Sequence, residues 1–205
     1  MRIVPPIKSH PLHELWYGSR AIGSSNAATI LGINPYEDQT LQELWKYLTY
    51  QKDKKPPSED MLRGREHEPM IRDFYCRRFD LDGCSLNIID SEVDFIRAQI
   101  DFMDSNGHRA AEFKSTKSPA IIEALENNQI PFLYQPQLTH QCMLLGRTEM
   151  DLMVWDATHK RFYYQVFRAD IQACVELRKR EVAFWQRYVV PKVSPSDNRL
   201  ELRKD

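Results

Sequence analysis

Residues 93–114 read VDFIRAQIDFMDSNGHRAAEFK. From Val93 to Asp101 the side chains alternate with the period of two that an extended strand requires. Asn106-Gly107 is a tight-turn pair, because both residues tolerate the positive φ that a two-residue hairpin demands. Ala110 to Lys114 then reads as the returning strand. On a strand Glu112 and Lys114 project to one side. A hairpin whose first strand ends near Asp101 brings Asp101, Glu112 and Lys114 together.

On the N-terminal side of this hairpin the pattern is helical. His13 to Arg20 reads as a short helix. Ser24 or Ser25 is placed to cap a second one, which carries Ala27 and Ala28 and stops at Gly32. Asn34-Pro35-Tyr36 reads as a turn. Thr40-Leu41-Gln42-Glu43 has the spacing of a capping box and opens a helix to about Tyr50. A charged, proline-containing loop covers residues 51–58. A longer helix spans about Glu59 to Phe79, with Gly64, Glu68, Ile71 and Tyr75 on one face. Pro69 inside it lacks a backbone donor, so a kink or a restart is expected there.

On the C-terminal side, Ser118-Pro119 starts a helix to about Asn127. Another runs from near Leu133 to Leu145, with Tyr134, Gln137, Gln141 and Leu145 on one face and Gly146 as its stop. Met150–Trp155 and Phe162–Arg168 form a closing hairpin. Asp170 caps a last helix to about Val190, and a charged, frayed tail follows Pro191. Helices, antiparallel strands, helices, strands and a helix, in that order, predict an α/β (α+β) fold: a mixed central β-sheet flanked by helices.

The 205 residues suffice for one domain with a full core. We read residues 1–205 as a single domain, its core at about 16–190, with short tails. No apolar run reaches membrane-spanning length. Cys76, Cys84, Cys142 and Cys174 make no C-x-x-C pair, which argues against a zinc ribbon or an iron–sulfur cluster. With no signal peptide, reduced thiols in a cytosol are expected. The formal net charge is −1, a weak footprint for nucleic-acid binding unless the basic surface is confined to one groove or channel. Lys52, Lys54 and Lys55, and Arg178, Lys179 and Arg180, form two small basic clusters that read as solvated surface.

Phosphodiester hydrolysis needs an activated water and a stabilised leaving oxygen, and one or two Mg²⁺ ions can supply both. Mg²⁺ takes hard oxygen ligands. Asp101, Glu112 and the backbone carbonyl of Phe113 offer them. Lys114 could then orient or deprotonate the attacking water, with its pKa lowered by the neighbouring cation. Taken alone, a carboxylate, a turn and E-x-K also describe a surface hairpin with an ordinary Glu–Lys pair.

Four further motifs narrow the reading. They are Arg20-Ala21-Ile22-Gly23-Ser24-Ser25-Asn26-Ala27-Ala28 with Leu31-Gly32 and Pro35-Tyr36; Arg63-Gly64-Arg65-Glu66-His67-Glu68; Gln99-Ile100-Asp101 with Glu112-Phe113-Lys114-Ser115; and Tyr134 with Gln137, Thr139, His140 and Gly146. In this order and spacing the chain resembles the phage lambda exonuclease/YqaJ family of alkaline exonucleases, within the PD-(D/E)xK nuclease superfamily, over roughly residues 16–190. The resemblance implies a restriction-endonuclease-like core. It also implies a Mg²⁺-dependent 5′-to-3′ exonuclease (Mn²⁺ substituting) that acts on ends of linear double-stranded DNA and leaves a 3′ single-stranded overhang for recombination. By the same resemblance Asp101 and Glu112 are metal ligands, Lys114 is the catalytic lysine, Glu68 is the helical acid beside the metal and Gln137 is an active-site glutamine. Arg20 and Ser25 resemble the family's pocket for a 5′-phosphate, a cation and a hydroxyl beside a helix N-terminus. Met61 or Leu62 resembles its strand-separating wedge, although core packing is the reading of either residue taken alone. A homotrimeric ring around DNA, a single-strand annealing partner and a bacterial or phage-infected cytosol complete what the family implies. Two positions depart from it: Ile100 stands where the superfamily name has proline, and Thr139 where a second glutamine is common. A structure-specific or restriction-like endonuclease on the same fold, or an inactive DNA-binding scaffold, are the alternatives.

Overall fold

The computed structural model describes residues 1–53 and 55–196. Lys54 of the first basic cluster and residues 197–205 of the C-terminal tail lie outside the described residues. A seven-stranded mixed sheet organises the chain: β1 (Arg2–Ile3), β2 (Ile22–Gly23), β3 (Gly83–Ile89), β4 (Ile96–Asp104), β5 (Ala110–Thr116), β6 (Glu149–Asp156) and β7 (Arg161–Arg168). The order is β1-β3-β4-β5-β6-β7, and β2 adds to β4 in parallel. β5 and β6 are also parallel, joined through α5 (Pro119–Glu126) and α6 (Gln135–Leu145). The expected mixed sheet with flanking helices is the observed one.

α4 (Glu59–Phe79) covers one face of the sheet through Ile71 and Tyr75, which pack with Phe102, Phe113 and Met153. α6 covers the other through Leu138, Cys142 and Leu145, against Ile96, Ile100, Leu152 and Val154. A third apolar cluster joins Ile22 and Ile30 to α3 (Leu41–Leu48) and to Phe184 of α7 (Ile171–Phe184). α7 continues as one wide π-turn over Trp185–Val189, so the last helical segment ends where the sequence placed it. Thr40 and Asp170 cap α3 and α7 as expected, accepting from Glu43 and Gln172.

Four local expectations change. α1 spans Pro11–Gly18 and starts earlier than read, because the His10 ring caps it by accepting from the Leu12 N–H. α4 passes through Pro69 as one helix, Ser58 capping its start. The missing donor at Pro69 is tolerated because that side of the helix is exposed. Neither Ser24 nor Ser25 caps a helix. Ser24–Asn26 is a 3₁₀ turn whose entry is held by the Asn26 side chain accepting from the Gly23 N–H, and α2 (Ala27–Ile30) follows directly. The Asp90 side chain accepts from the N–H groups of Glu92 and Val93, so residues 90–93 turn and β4 begins at Ile96 rather than Val93.

β4 does not end at Asp101; it runs on to Asp104. Its register with β3 shifts between Met103↔Cys84 and Ile100↔Leu86. Across that interval Ser85 of β3 faces two residues of β4, Asp101 and Phe102, which makes a β-bulge. The extra residue explains why Ile100 and Met103 both pack on the α6 side while Phe102 packs under α4.

Candidate active site

β4 and β5 pair only at Phe102↔Ala111 and Met103↔Ala110. Towards Ile96 the strands part, and β2 takes up the vacated edge at Ile96 and Arg97. The gap between β2 and β5 is where the sequence-predicted residues converge. Asp101 uses its carboxylate in place of a ladder bond, with Oδ2 accepting from the Phe113 N–H at 2.8 Å. Two main-chain carbonyls of β4 inside the gap are taken by α6 side chains: Arg97 O by His140 Nε2 at 3.1 Å and Gln99 O by Gln141 Nε2 at 3.0 Å.

Glu112 is buried at the centre. Its Oε1 pairs with the Lys114 ammonium, and Lys114 Nζ also donates to Gln137 Oε1 at 3.0 Å. Gln137 Nε2 donates in turn to Glu112 Oε1. Gln141 Nε2 donates to Glu112 Oε2 at 2.6 Å. An open groove of about 510 Å³ runs past this centre, bordered by Asp101, Gln137, Glu68, Arg65, Arg20 and Ser25. Glu68 ion-pairs with Arg72 one turn on, at 2.8 Å. The structure thus brings Asp101, Glu112, Lys114 and Gln137 together, with Glu68 on the wall of the same groove.

Burial, then the neighbouring Glu112 carboxylate, push the Asp101 carboxyl well above the usual carboxylate range; Lys114 and the Phe113 N–H pull the other way. For Lys114, burial alone would lower the ammonium, but Glu112 and Asp101 outweigh it and hold it above the ordinary lysine value. Without a cation beside it, the ammonium is therefore held by two adjacent carboxylates; the lowering expected from sequence belongs to the cation-bound site. Among the described residues no three His, Cys, Asp or Glu side chains gather as a cluster fit to hold a metal. The donor set is narrower: two carboxylates on neighbouring strands and the Phe113 carbonyl. It fits a hard divalent cation that keeps several waters. Two close carboxylates, one of them resisting ionisation, are the electrostatic deficit that such a cation relieves.

The more distant candidates separate. Ser25 borders the groove. Arg20 borders it too, but its guanidinium is engaged, donating to the carbonyls of Tyr47 and Lys52 at 2.6 Å each, pairing with Asp53 and lying over the rings of Tyr47 and Tyr50. Met61 and Leu62 are 48% and 51% exposed, so core packing is excluded for both. Met61 lines a second groove, which shares Ser25 and Tyr47 with the first; Leu62 lines neither. Of the two basic clusters, Lys52 pairs with Glu43, Lys55 with Asp38 and Arg180 with Glu176 at or near the surface, whereas Arg178 reaches inward to the buried Asp90 as well as to exposed Glu92.

Sequence reasoning missed Gln141, Arg65 and Gln99 as site residues. Gln141 had a readable signal: it lies four residues after Gln137, on the same helical face. Arg65 precedes Glu68 by three and borders the groove with no ion pair among the described residues, whereas Arg63 pairs with Asp60.

All four cysteines are free thiols. No helix among the described residues is long and apolar enough to cross a membrane.

Comparison with solved structures gives the fold independently. The chain superposes on LHK-Exo, an alkaline exonuclease from Laribacter hongkongensis, with a TM-score of 0.72 at 18% identity over 88% of this chain and 94% of that one. The same protein in complex with dAMP gives 0.71, over 84% and 89%. A phage-related exonuclease from Haemophilus somnus 129PT gives 0.61 at 14% identity, over 86% and 97%. No curated relative matches the chain. The model of the YqaJ-like viral recombinase domain matches residues 15–150, from α1 into β6, and so takes in every element that carries the site. The chain belongs to the YqaJ-like viral recombinase domain family.

Proposed function

We propose that the chain is a Mg²⁺-dependent DNA exonuclease that degrades one strand of linear duplex DNA from a 5′ end and leaves a 3′ overhang for recombination. The observation that carries this reading is the convergence of Asp101, Glu112, Lys114 and Gln137 on the gap between β2 and β5, beside an open groove of about 510 Å³. Family membership and a fold shared with two exonucleases support it.

Asp101, Glu112 and the Phe113 carbonyl would hold the cation, which when bound supplies Lewis acidity and lowers the pKa of a water. Lys114 lies within hydrogen-bond reach of Glu112 and Gln137, so its ammonium is fixed where it can orient a water or stabilise a phosphoryl oxygen. Gln137 keeps Lys114 and Glu112 aligned. Glu68, at the groove wall, is placed to position a second water or a cation's outer shell. Ser25 and Arg20 would receive the terminal 5′-phosphate, and exposed Met61 would stand at the strand junction. As in the family resemblance, the working assembly would be a homotrimeric ring in a cytosol, with a single-strand annealing protein as partner.

One observation favours a second reading. Three of the five Arg20 guanidinium N–H groups are engaged, two on carbonyls and one on Asp53, so a terminal phosphate has to compete with that loop for this side chain. If the loop does not yield, an endonuclease on the same fold follows. Digestion with Mg²⁺ of 5′-phosphorylated linear, 5′-hydroxyl linear and closed circular duplexes separates the two. The exonuclease consumes the phosphorylated linear DNA fastest and spares the circle. Efficient cutting of the circle would establish the endonuclease instead.

A further inference from the structure

We infer that Gln141 is a positioning residue that fixes the orientation of Glu112 in the active site. This rests on the nuclease reading above and goes beyond it, because it assigns to one buried amide the control of which Glu112 oxygen is free to change partners.

Gln141 is wholly buried in α6, between the two separated strands. Its Nε2 has two hydrogens and uses both, one on Gln99 O of β4 at 3.0 Å and one on Glu112 Oε2 of β5 at 2.6 Å. The amide therefore bridges the gap that no ladder bond spans. Both acceptors are oxygens, so the reversed amide would set Oε1 against them; the donor orientation is fixed by its surroundings.

That orientation leaves Gln141 Oε1 buried with no partner among the described residues. A buried acceptor without a partner costs free energy, and a methionine or leucine would fill the same space without that cost. The position is thus poorly explained by packing and well explained by the grip on Glu112.

The two oxygens of Glu112 are held differently. Oε2 is tied through Gln141 to the backbone of β4. Oε1 is held only by side chains, Lys114 and Gln137, the second of which borders the groove. Gln141 thereby anchors one oxygen and presents the other.

The test uses the full chain without DNA, titrated with Mn²⁺ and read by the paramagnetic resonance of the free ion. Gln141→Met keeps the volume and removes both donors. It is expected to weaken Mn²⁺ binding by about 10- to 100-fold, the usual effect of removing a partner that orients a metal ligand. Duplex binding in EDTA should be unchanged. Leu145→Ala, which loosens the same helix one turn on, should lower the unfolding midpoint and leave Mn²⁺ binding intact. Wild-type Mn²⁺ affinity in folded Gln141→Met overturns the inference, and so does an equal loss in Leu145→Ala. If Gln141→Met does not fold, Gln141→Asn, one carbon short of Glu112, carries the same readout. A wild-type chain that neither binds Mn²⁺ nor degrades DNA refutes the nuclease reading itself. An active wild type with an indistinguishable Gln141→Met refutes only the role of Gln141.

Discussion

The carboxylate of Asp101 accepts the Phe113 N–H at 2.8 Å, where a regular sheet would have a main-chain bond between β4 and β5. The candidate ligand therefore also closes the edge of its own strand gap. Asp101→Asn separates the two roles. Its side-chain oxygen can still accept from Phe113, while the charge needed for a cation is gone. Nuclease activity should fall by about a thousandfold or more, the scale of losing several kcal/mol of metal-assisted stabilisation. The metal-free protein should be at least as stable as wild type, because repulsion from Glu112 is relieved. Digestion assays and thermal unfolding in EDTA check both halves, and a large loss of stability would show that the charge itself holds the strands.

Lys114 has a different signature. Its ammonium is the only cation whose side chain the structure places on Glu112 among the described residues. Lys114→Met should reduce turnover by about 10²–10⁴-fold, the range for a lost proton-transfer or orienting group. Binding to duplex ends should change little. The metal-free protein should unfold earlier, because a buried carboxylate has lost its counter-charge, and added Mg²⁺ should restore most of that. Single-turnover kinetics with an end-binding assay separate the effects; equal losses in binding and turnover would remove Lys114 from the chemistry.

How far this was legible in the sequence depends on the interaction involved. Alternation, capping and turn residues are local, so Thr40, Asp170 and Gly146 gave correct element ends, while Asn106-Gly107 marked the turn but sits in a longer loop between Asp104 and Ala110 in which Gly107 alone takes a positive φ. The bulge at Asp101 and Phe102 is a property of the partner strand's register, which no local pattern carries. The same holds for the parting of β4 from β5, which lets α6 side chains reach the carbonyls of Arg97 and Gln99. Asp101, Glu112 and Lys114 were found as a motif. Their company, with Gln141 on Glu112 and Arg20 tied down by the loop after α3, depends on contacts distant in sequence.

The bulge has a packing consequence at Gly83, paired with Asp104 beyond it. A Cβ there would lie 2.2 Å from the Met103 carbonyl oxygen and 2.6 Å from the Phe102 ring. The carbonyl belongs to the strand backbone and cannot swing aside as a flexible side chain would. Gly83→Ala should therefore destabilise the fold by about 1–3 kcal/mol through overpacking. Gly64→Ala, with open space around its Cβ and a helical position, should be neutral or stabilising. Urea unfolding of the pair checks this, and a tolerant Gly83→Ala would mean that β3 and β4 can shift apart.

The buried pair of His140 and Glu181 makes stability depend on pH. Both ring nitrogens face oxygens: Nδ1 lies 2.7 Å from Glu181 Oε1 and Nε2 lies 3.1 Å from Arg97 O. An imidazolium satisfies both. Burial opposes that charge, but the Glu181 carboxylate and the Arg97 carbonyl outweigh it and raise the folded pKa above the ordinary histidine value. A group whose folded pKa is raised stabilises fully below its unfolded pKa, about 6.5 for histidine, and loses that contribution as pH climbs through the folded value. In Glu181→Gln the amide can donate to a neutral ring at Nδ1 while Nε2–H still reaches Arg97 O. The raised pKa then has no source. From about pH 7 to 9 the four free cysteines also titrate, but alike in both proteins, so the wild-type urea midpoint should fall more steeply than that of Glu181→Gln. Parallel profiles would mean that His140 is neutral in the folded protein.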